Sequence, residues 1–232
     1  MKAVTKLIIA AALFGQTVLS QALPINLLTN GSFESLKFDS NWTYRTNPNE
    51  VDGWTWSDGS SMEFWNTPFL GVTAVDGGKI AELNAHGGDG DYSFYQNFKT
   101  VAGQSYDYSF AYQARSDNSE QFHMDITHFF DDSTPEVLAN AIYTNHEIGQ
   151  WSTARGSFVA IGSMSQIGFW SDDRRGDTVG NLLDNVVVTA SVPEPGSIAL
   201  LAFGLVGLVV SRRRQKSEDA PLAKNLLNQP EK

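Results

Sequence analysis

The sequence contains no cysteine among its 232 residues. Disulfide bonds, thiolate metal sites and cysteine nucleophiles are therefore excluded. The stability of a folded domain must come from packing and hydrogen bonding, or from a bound metal ion. With both ends set aside, the chain is long enough for one domain with a full-sized core.

Basic residues are scarce in the central part of the chain. Between residues 23 and 191, 22 Asp and Glu stand against 8 Lys and Arg, a net charge of −14, whereas the whole chain carries −10. A surface this acidic repels a phosphate backbone, so the sequence predicts no nucleic-acid partner. The same part holds all six tryptophans, which need either a core or a binding role.

Hydrolase motifs are missing as well. The chain has neither Gly-x-Ser-x-Gly nor His-Glu-x-x-His, and no spacing marks a pair of carboxylates as the acid and base of a glycosidase. We therefore predict a protein that is not an enzyme. A polysaccharide-modifying enzyme is the second alternative, and it would need two carboxylates facing a cleft.

Long apolar runs occur only at the two ends of the chain. Lys2 and Lys6 precede the apolar residues 7–19, and Ser20 and Ala22 are the small residues that signal peptidase requires. We predict a secretory signal peptide over residues 1–22, cleaved after Ala22. An N-terminal transmembrane helix is the alternative, and the shortness of the run argues against it.

The C-terminal apolar run lies between two polar motifs. It covers residues 198–210; the preceding motif is Val192, Pro193, Glu194 and Pro195, and the following one is Arg212, Arg213 and Arg214. This run is shorter than the ~20 residues that an untilted transmembrane helix needs. Arginines favour the cytoplasmic side of a membrane, so the residues before Pro193 should lie outside the cytoplasmic membrane.

This three-part order resembles the PEP-CTERM sorting signal of Gram-negative bacteria. The resemblance covers residues 191–214 and implies cleavage by a membrane protease, an exosortase, and association with extracellular polysaccharide. We predict a transmembrane segment at 197–211 and a polar cytoplasmic tail at 215–232; the tail departs from the resemblance, because members of the family usually stop soon after the basic cluster. An ordinary C-terminal membrane anchor is the alternative. Either way the protein is exported, membrane-anchored before processing, and at the cell surface or extracellular after it.

The composition of residues 23–190 predicts β-strands separated by tight turns. Period-two alternation is clearest where Tyr106, Tyr108, Phe110 and Tyr112 alternate with small or polar residues, because such spacing puts the aromatic rings on one face of a sheet. We predict strands at 80–85, 92–98, 104–114, 121–127, 137–143, 152–161, 165–170 and 182–189, with weaker signals at 25–28, 51–56 and 62–65. Their spacing favours an all-β, two-sheet antiparallel sandwich.

A second resemblance supports this fold. The run Asn26-Leu-Leu-Thr-Asn-Gly-Ser-Phe-Glu34, the segments 52–54, 62–65, 81–85, 95–96 and 101–103, and Leu183-Asp184-Asn185-Val186 are similar, in order, to jelly-roll carbohydrate-binding modules with a galactose-binding-like fold. The resemblance implies a β-sandwich whose termini lie side by side. It also implies a sugar-binding or adhesive role.

In that family a structural Ca²⁺ commonly lies where the first and last strands meet. The matching positions here are Glu34 and Asp184, whose hard oxygen atoms suit Ca²⁺. The alternative is that both carboxylates accept hydrogen bonds from nearby backbone.

Ligand binding is predicted for aromatic rings outside the alternating core, because sugars stack on indole rings and hydrogen-bond to polar side chains. The predicted ligand-binding residues are Trp42, Trp54, Trp56, Trp65 and Arg115, and Tyr44 and Trp170 belong to the same group of aromatic residues. A core role is the alternative for each tryptophan, and a salt bridge is the alternative for Arg115.

His123, Asp125, His128 and Asp131 are spaced too loosely to indicate a metal site, and we interpret them as solvated strand-face residues. The leading hypothesis is an exported, non-enzymatic protein that binds carbohydrate or associates with exopolysaccharide. Its processing partners would be signal peptidase and an exosortase, with transient contact with the inner membrane. The first alternative is a structural or adhesion protein of the biofilm matrix that binds protein partners.

Overall fold

The structure is a computed structural model that describes residues 24–191 apart from 57–60, 84–92, 117–120, 132, 145–146 and 172–178, together with Gly204. The predicted signal peptide, the sorting signal from Val192 to Arg214 and the polar tail therefore lie outside the described residues, Gly204 excepted. Among the described residues, no helix has the length and apolarity that crossing a membrane requires.

The described residues form eleven β-strands and one short 3₁₀ helix. The strands are β1 (Trp42–Arg45), β2 (Thr55–Trp56), β3 (Met62–Asn66), β4 (Lys79–Glu82), β5 (Ser93–Lys99), β6 (Ser105–Ala114), β7 (Phe122–Phe129), β8 (Pro135–Tyr143), β9 (Ser152–Val159), β10 (Met164–Ser171) and β11 (Asn181–Ala190). The 3₁₀ helix spans Pro48–Glu50.

The strands form two antiparallel sheets. One sheet has six strands in the order β1-β3-β4-β11-β6-β9, and the other has five in the order β2-β5-β10-β7-β8. The predicted all-β, two-sheet antiparallel sandwich is therefore confirmed. Of the weaker predictions, 62–65 corresponds to β3 and 51–56 only to the short β2, while 25–28 forms no strand and β1 was not predicted.

The core lies between the two sheets and is rich in aromatic rings. Tyr106, Tyr108 and Phe110 of β6 are buried, whereas Asp107 between them is exposed, as the period-two pattern predicts. Phe94 of the five-stranded sheet contacts Phe64 of the six-stranded sheet, with ring centroids 6.4 Å apart. Contacts of this kind join the sheets into one core.

The two ends of the described domain lie side by side. The Leu27 amide donates to the Val188 carbonyl at 2.8 Å, and the Val186 amide donates to the Gly31 carbonyl at 2.9 Å. Since β11 is the last strand and lies between β4 and β6, the entering chain is held against the middle of a sheet. The expectation of adjacent termini is thus met.

A smaller apolar cluster covers part of the outer face of the six-stranded sheet. It consists of Trp65, Val72, Ile80 and Leu182, with Phe69, Ala74 and Trp151 packed against it. Its existence explains how Trp65 is fully buried although it points away from the main core.

Candidate functional site

Three of the predicted ligand-binding tryptophans are buried. Trp54, Trp56 and Trp65 are 2%, 3% and 0% exposed. The Trp54 ring stacks on Phe94 with centroids 4.4 Å apart, and its Nε1–H donates to the Asn30 carbonyl at 3.0 Å. Stacking on a sugar needs an exposed ring face, so these positions favour the core role for all three.

Trp42 and Arg115 have different surroundings. The Trp42 ring is 43% exposed and meets the Tyr44 ring edge to face, with centroids 5.0 Å apart. Arg115 Nη1 lies 2.7 Å from Glu82 Oε1, and its guanidinium lies 5.0 Å from the Trp65 ring centroid. Trp42 thus remains available to a ligand, whereas Arg115 forms a salt bridge with a buried carboxylate.

Glu34 and Asp184, the two predicted calcium ligands, both contact the turn at residues 75–79. Glu34 Oε1 accepts hydrogen bonds from the amides of Gly78 and Lys79 at 2.8 and 2.6 Å. Asp184 Oδ2 accepts from the amides of Val75 and Asp76 at 2.7 and 3.0 Å. The two carboxylates therefore hold this turn against the entering segment, which contains Glu34, and against β11, which contains Asp184.

These contacts do not leave the two carboxylates arranged as metal ligands. Asp184 Oδ1 also accepts from the Asn185 amide at 2.6 Å, so N–H groups face both of its oxygens. In the part of the chain that the structure describes, no three His, Cys, Asp or Glu side chains are grouped so as to hold a metal. The donor set fits the hydrogen-bonded alternative, and the calcium role remains an untested prediction.

The outer face of the five-stranded sheet carries a row of polar and aromatic residues. Tyr95, Gly168, Asp125 and Asn140 lie directly opposite one another on β5, β10, β7 and β8. Their strand neighbours, such as Phe94, Ile167 and Met124, are buried in the core. Because side chains alternate between faces, the row points away from the core.

Gly168 has no side chain and leaves a depression in this row. A Cβ atom on Gly168 would lie 2.7 Å from Asp125 Oδ1 and 3.8 Å from the Cβ atom of Tyr95. The Asp125 carboxylate therefore occupies the space above the glycine and accepts a hydrogen bond from the Thr127 hydroxyl. Partial burial raises the pKa of Asp125 above its ordinary value.

Two further pairs border the row. The rings of His123 and Trp170 stack almost in parallel, with centroids 4.9 Å apart and an interplanar angle of 7°. On the other side, Gln166 Nε2 donates to Asn97 Oδ1 at 3.0 Å. Half-buried rings beside planar polar groups are what a sugar needs, because its C–H faces stack and its hydroxyls donate and accept.

The sequence identified this surface only in part. Trp170 was among the aromatic candidates, and His123 and Asp125 were interpreted as strand-face residues, which their positions support. Tyr95, Asn97 and Gln166 were missed, although the alternation in β5 and β10 placed them on one face. The cross-strand register that unites them has no local signal in the sequence.

One pair of carboxylates bears on the alternative that the protein is a polysaccharide-modifying enzyme. Glu63 and Glu82 lie opposite each other on β3 and β4. They are only 5% and 0% exposed, and Glu63 Oε1 accepts from the Trp65 indole N–H at 2.6 Å. These acids are enclosed by protein rather than open to a polymer, so they give no support to catalysis.

Comparison with known proteins gives two kinds of similarity. A family model described as "PEP-CTERM protein-sorting motif" matches residues 191–214. No curated protein matches the sequence.

Solved structures share the sandwich. An arabinose-bound α-L-arabinofuranosidase, MgGH51, matches with a TM-score of 0.51 and 11% identity, over 73% of this chain and 27% of that chain. TmCBM61, solved with β-1,4-galactotriose, gives a TM-score of 0.48 and 14% identity, over 72% and 99% of the two chains. A family 16 carbohydrate-binding module gives 0.48 and 18%, over 71% and 99%. The chain thus combines a PEP-CTERM sorting motif at residues 191–214 with a two-sheet antiparallel β-sandwich, a fold that part of the arabinofuranosidase structure shares.

Proposed function

We propose that the protein is an exported, non-enzymatic carbohydrate-binding protein that associates with exopolysaccharide. Its ligand would bind on the outer face of the five-stranded sheet, across the row Tyr95, Gly168, Asp125 and Asn140 and beside Trp170. The observation that carries the proposal is this exposed combination of aromatic rings, amides and a half-buried carboxylate. Family resemblance and the sorting motif agree with it.

The polarity of the surface indicates how a glycan would be held. Asp125 would accept hydrogen bonds from sugar hydroxyls, as it already accepts one from the Thr127 hydroxyl. The His123–Trp170 stack fixes the indole orientation, so a sugar face meets a ring that is already ordered. Such preorganisation lowers the entropic cost of binding.

The test is a glycan array with the purified secreted protein and two single variants. We expect Trp170→Ala to weaken glycan affinity about tenfold or more, because the variant lacks the ordered indole ring on which the sugar would stack. Trp42→Ala is the matched control, because this exposed tryptophan lies on the other sheet. Loss of binding in Trp42→Ala alone would place the site on the six-stranded sheet instead. If the native protein bound none of the polysaccharides, the binding proposal would be refuted.

The sorting motif supports a route for delivery. We infer that signal peptidase removes residues 1–22 and that an exosortase cleaves near Pro193, which releases the domain to the cell surface or matrix. Intact mass of the released protein tests this step directly. A product that ends near Pro193 supports processing, and a product that retains residues 215–232 supports a standing membrane anchor.

A structural role with protein partners has one observation in its favour. β8 is a nine-residue edge strand of the five-stranded sheet, and its Val137 and Ile142 are 53% and 60% exposed. An exposed edge can pair with a strand from another chain. Replacing Leu138 with proline would block such pairing, and loss of protein partners without loss of glycan binding would support this second role.

A further inference from the structure

One end of the sandwich exposes a group of apolar side chains, which we call the apolar tip. Its members are 40 to 61% exposed, and they are Val101, Phe129, Phe130, Val159, Ile161 and Met164. They belong to the ends of strands and to turns that are far apart in sequence. Single exposed apolar residues are normal, whereas several that collect at one end of a domain suggest an interaction surface.

Two of these turns are joined by backbone hydrogen bonds. The Thr100 amide donates to the Ser163 carbonyl at 3.0 Å, and the Gly103 amide donates to the Ala160 carbonyl at 2.7 Å. The Thr100 hydroxyl adds a bond to the Gly162 carbonyl at 2.8 Å. The segment from 159 to 164 is therefore fixed beside the turn that carries Val101.

The turn after β7 joins the same group through His128. Its Nδ1 lies 2.8 Å from the Met164 carbonyl oxygen, and its ring covers the position where Gly162 would carry a side chain. The Phe130 ring contacts the His128 ring edge to face, with centroids 4.9 Å apart. All six apolar side chains therefore lie at one end of the molecule.

The chain leaves the domain at this same end. The Ser191 amide donates to the Ser105 carbonyl at 2.9 Å, and Ser105 lies opposite Val159 of the apolar tip. The sorting motif begins at residue 191. The exposed apolar surface and the start of the sorting motif are thus neighbours.

We propose that the apolar tip docks on the surface of the lipid bilayer while the sorting segment spans it. This inference rests on the proposed sorting role. Only five residues separate Ser191 from the predicted membrane segment at 197–211, so the Cα atoms of Ser191 and residue 197 are at most about 20 Å apart. A ten-residue strand such as β6 is about 34 Å long, so the exit end is held at the membrane and the opposite end is not.

The chemistry of the tip fits a lipid surface rather than an ionic partner. Apolar side chains enter the boundary between headgroups and acyl chains. Lys99 is exposed and lies opposite Met164, so its ammonium can reach headgroup phosphates while its methylenes stay with the apolar residues. Because apolar contact dominates, docking should depend weakly on salt.

The absence of cysteine makes a site-specific test clean. The full chain is reconstituted in phosphatidylcholine vesicles that contain nitroxide-labelled lipid, and Phe130→Cys carries an environment-sensitive fluorophore. Ile142→Cys is the matched control, because it is 60% exposed and lies at the other end of β8. Flotation of the vesicles measures insertion of the sorting segment separately.

We expect the label at position 130 to be quenched at least about threefold more than the label at 142 in floated vesicles. Adding Phe129→Ser to a Val101→Cys reporter should reduce its quenching, and thermal melting checks that the exposed substitution leaves the fold intact. Equal quenching at 130 and 142 in floated vesicles would overturn docking while the membrane anchor stands. A chain that fails to float would overturn the anchor itself, and energy transfer between copies without lipid quenching would assign the tip to self-association.

Discussion

Gly168 is the residue on which the proposed binding face depends most directly. A methyl group there would displace the Asp125 carboxylate, since the added Cβ lies 2.7 Å from Oδ1. We expect Gly168→Ala to weaken glycan binding about tenfold while the melting temperature changes by only a few degrees, because a short side chain can shift at small cost. Gly78→Ala is the control, since a Cβ at Gly78 meets nothing within 4 Å. Titration calorimetry with a glycan identified on the array measures the difference, and equal affinity of both variants would contradict the role of the row.

Glu82 is a fully buried acid beside Arg115 and Glu63. Its Oε1 accepts from Arg115 and from the Gly180 amide at 2.7 and 2.9 Å, while its buried Oε2 has no hydrogen-bond partner among the described residues. Burial outweighs the attraction of Arg115 and raises the pKa of Glu82 to about 8. Folding therefore favours the protonated form of Glu82, in which Arg115 donates to a neutral carboxyl group.

A raised pKa in the folded state fixes the sign of a pH effect. The folded protein keeps the Glu82 proton from the ordinary pKa of 4.5 up to about 8, whereas the unfolded chain loses it. Stability from this group is thus full below 4.5 and falls as pH rises through 8. We expect the melting temperature of the native protein to fall more between pH 5 and pH 9 than that of Glu82→Gln, whose amide cannot ionise. If the melting temperatures of the two proteins changed equally with pH, Glu82 would instead be ionised and paired with Arg115.

The contact between β11 and the turn before β4 depends on Asp184, which is fully buried. It accepts from the amides of Val75, Asp76 and Asn185, so Asp184→Ala leaves three donors without an acceptor and should cost about 3 kcal/mol or more. Chemical denaturation of the two proteins measures this loss.

The calcium prediction is tested by the melting temperature with and without EDTA. The amides around Glu34 and Asp184 predict no change, because backbone donors already fill these positions. A fall of several degrees that calcium reverses would instead establish a bound ion, since a ligand of the native state stabilises it by mass action.

The strands with strong alternation could be predicted from the sequence, and the short ones could not. β6 follows its aromatic period closely, from the predicted 104–114 to the observed Ser105–Ala114. β1 was missed because Trp42 and Tyr44 alternate over only four residues, and both rings lie on an outer face beside Trp65 and Glu63. Local pattern cannot distinguish that position from a loop.

The site shows the same limit. Trp54, Trp56 and Trp65 look like Trp42 and Trp170 in the sequence, yet three are buried and two reach the surface. The two groups differ in the residues that pack against them, which come from strands distant in sequence. Trp170 stacks on His123, whereas Trp65 belongs to the same buried cluster as Leu182. Composition identifies residue types that would suit a sugar site, but only the register assigns them to faces of the sheets.

A single core makes the whole domain one cooperative unit. The Phe94 ring contacts Trp54, Phe33 and Phe64, and these contacts connect the two sheets. We expect Phe94→Ala to lower the free energy of unfolding by about 3–5 kcal/mol. Phe130→Ala is the exposed control and should stay within about 0.5 kcal/mol. Circular dichroism and tryptophan fluorescence should report one common transition in urea, and separate transitions would mean that the sheets unfold independently.

The central place of β11 links folding to secretion. β11 is the last strand of the described residues, yet it lies between β4 and β6 in the middle of the six-stranded sheet and also binds the entering segment at Leu27. On the proposed export route, the sheet would close only after this strand has crossed the membrane. Because the sorting motif begins directly after β11, we expect the domain to complete its fold only when nearly all residues before that motif have crossed.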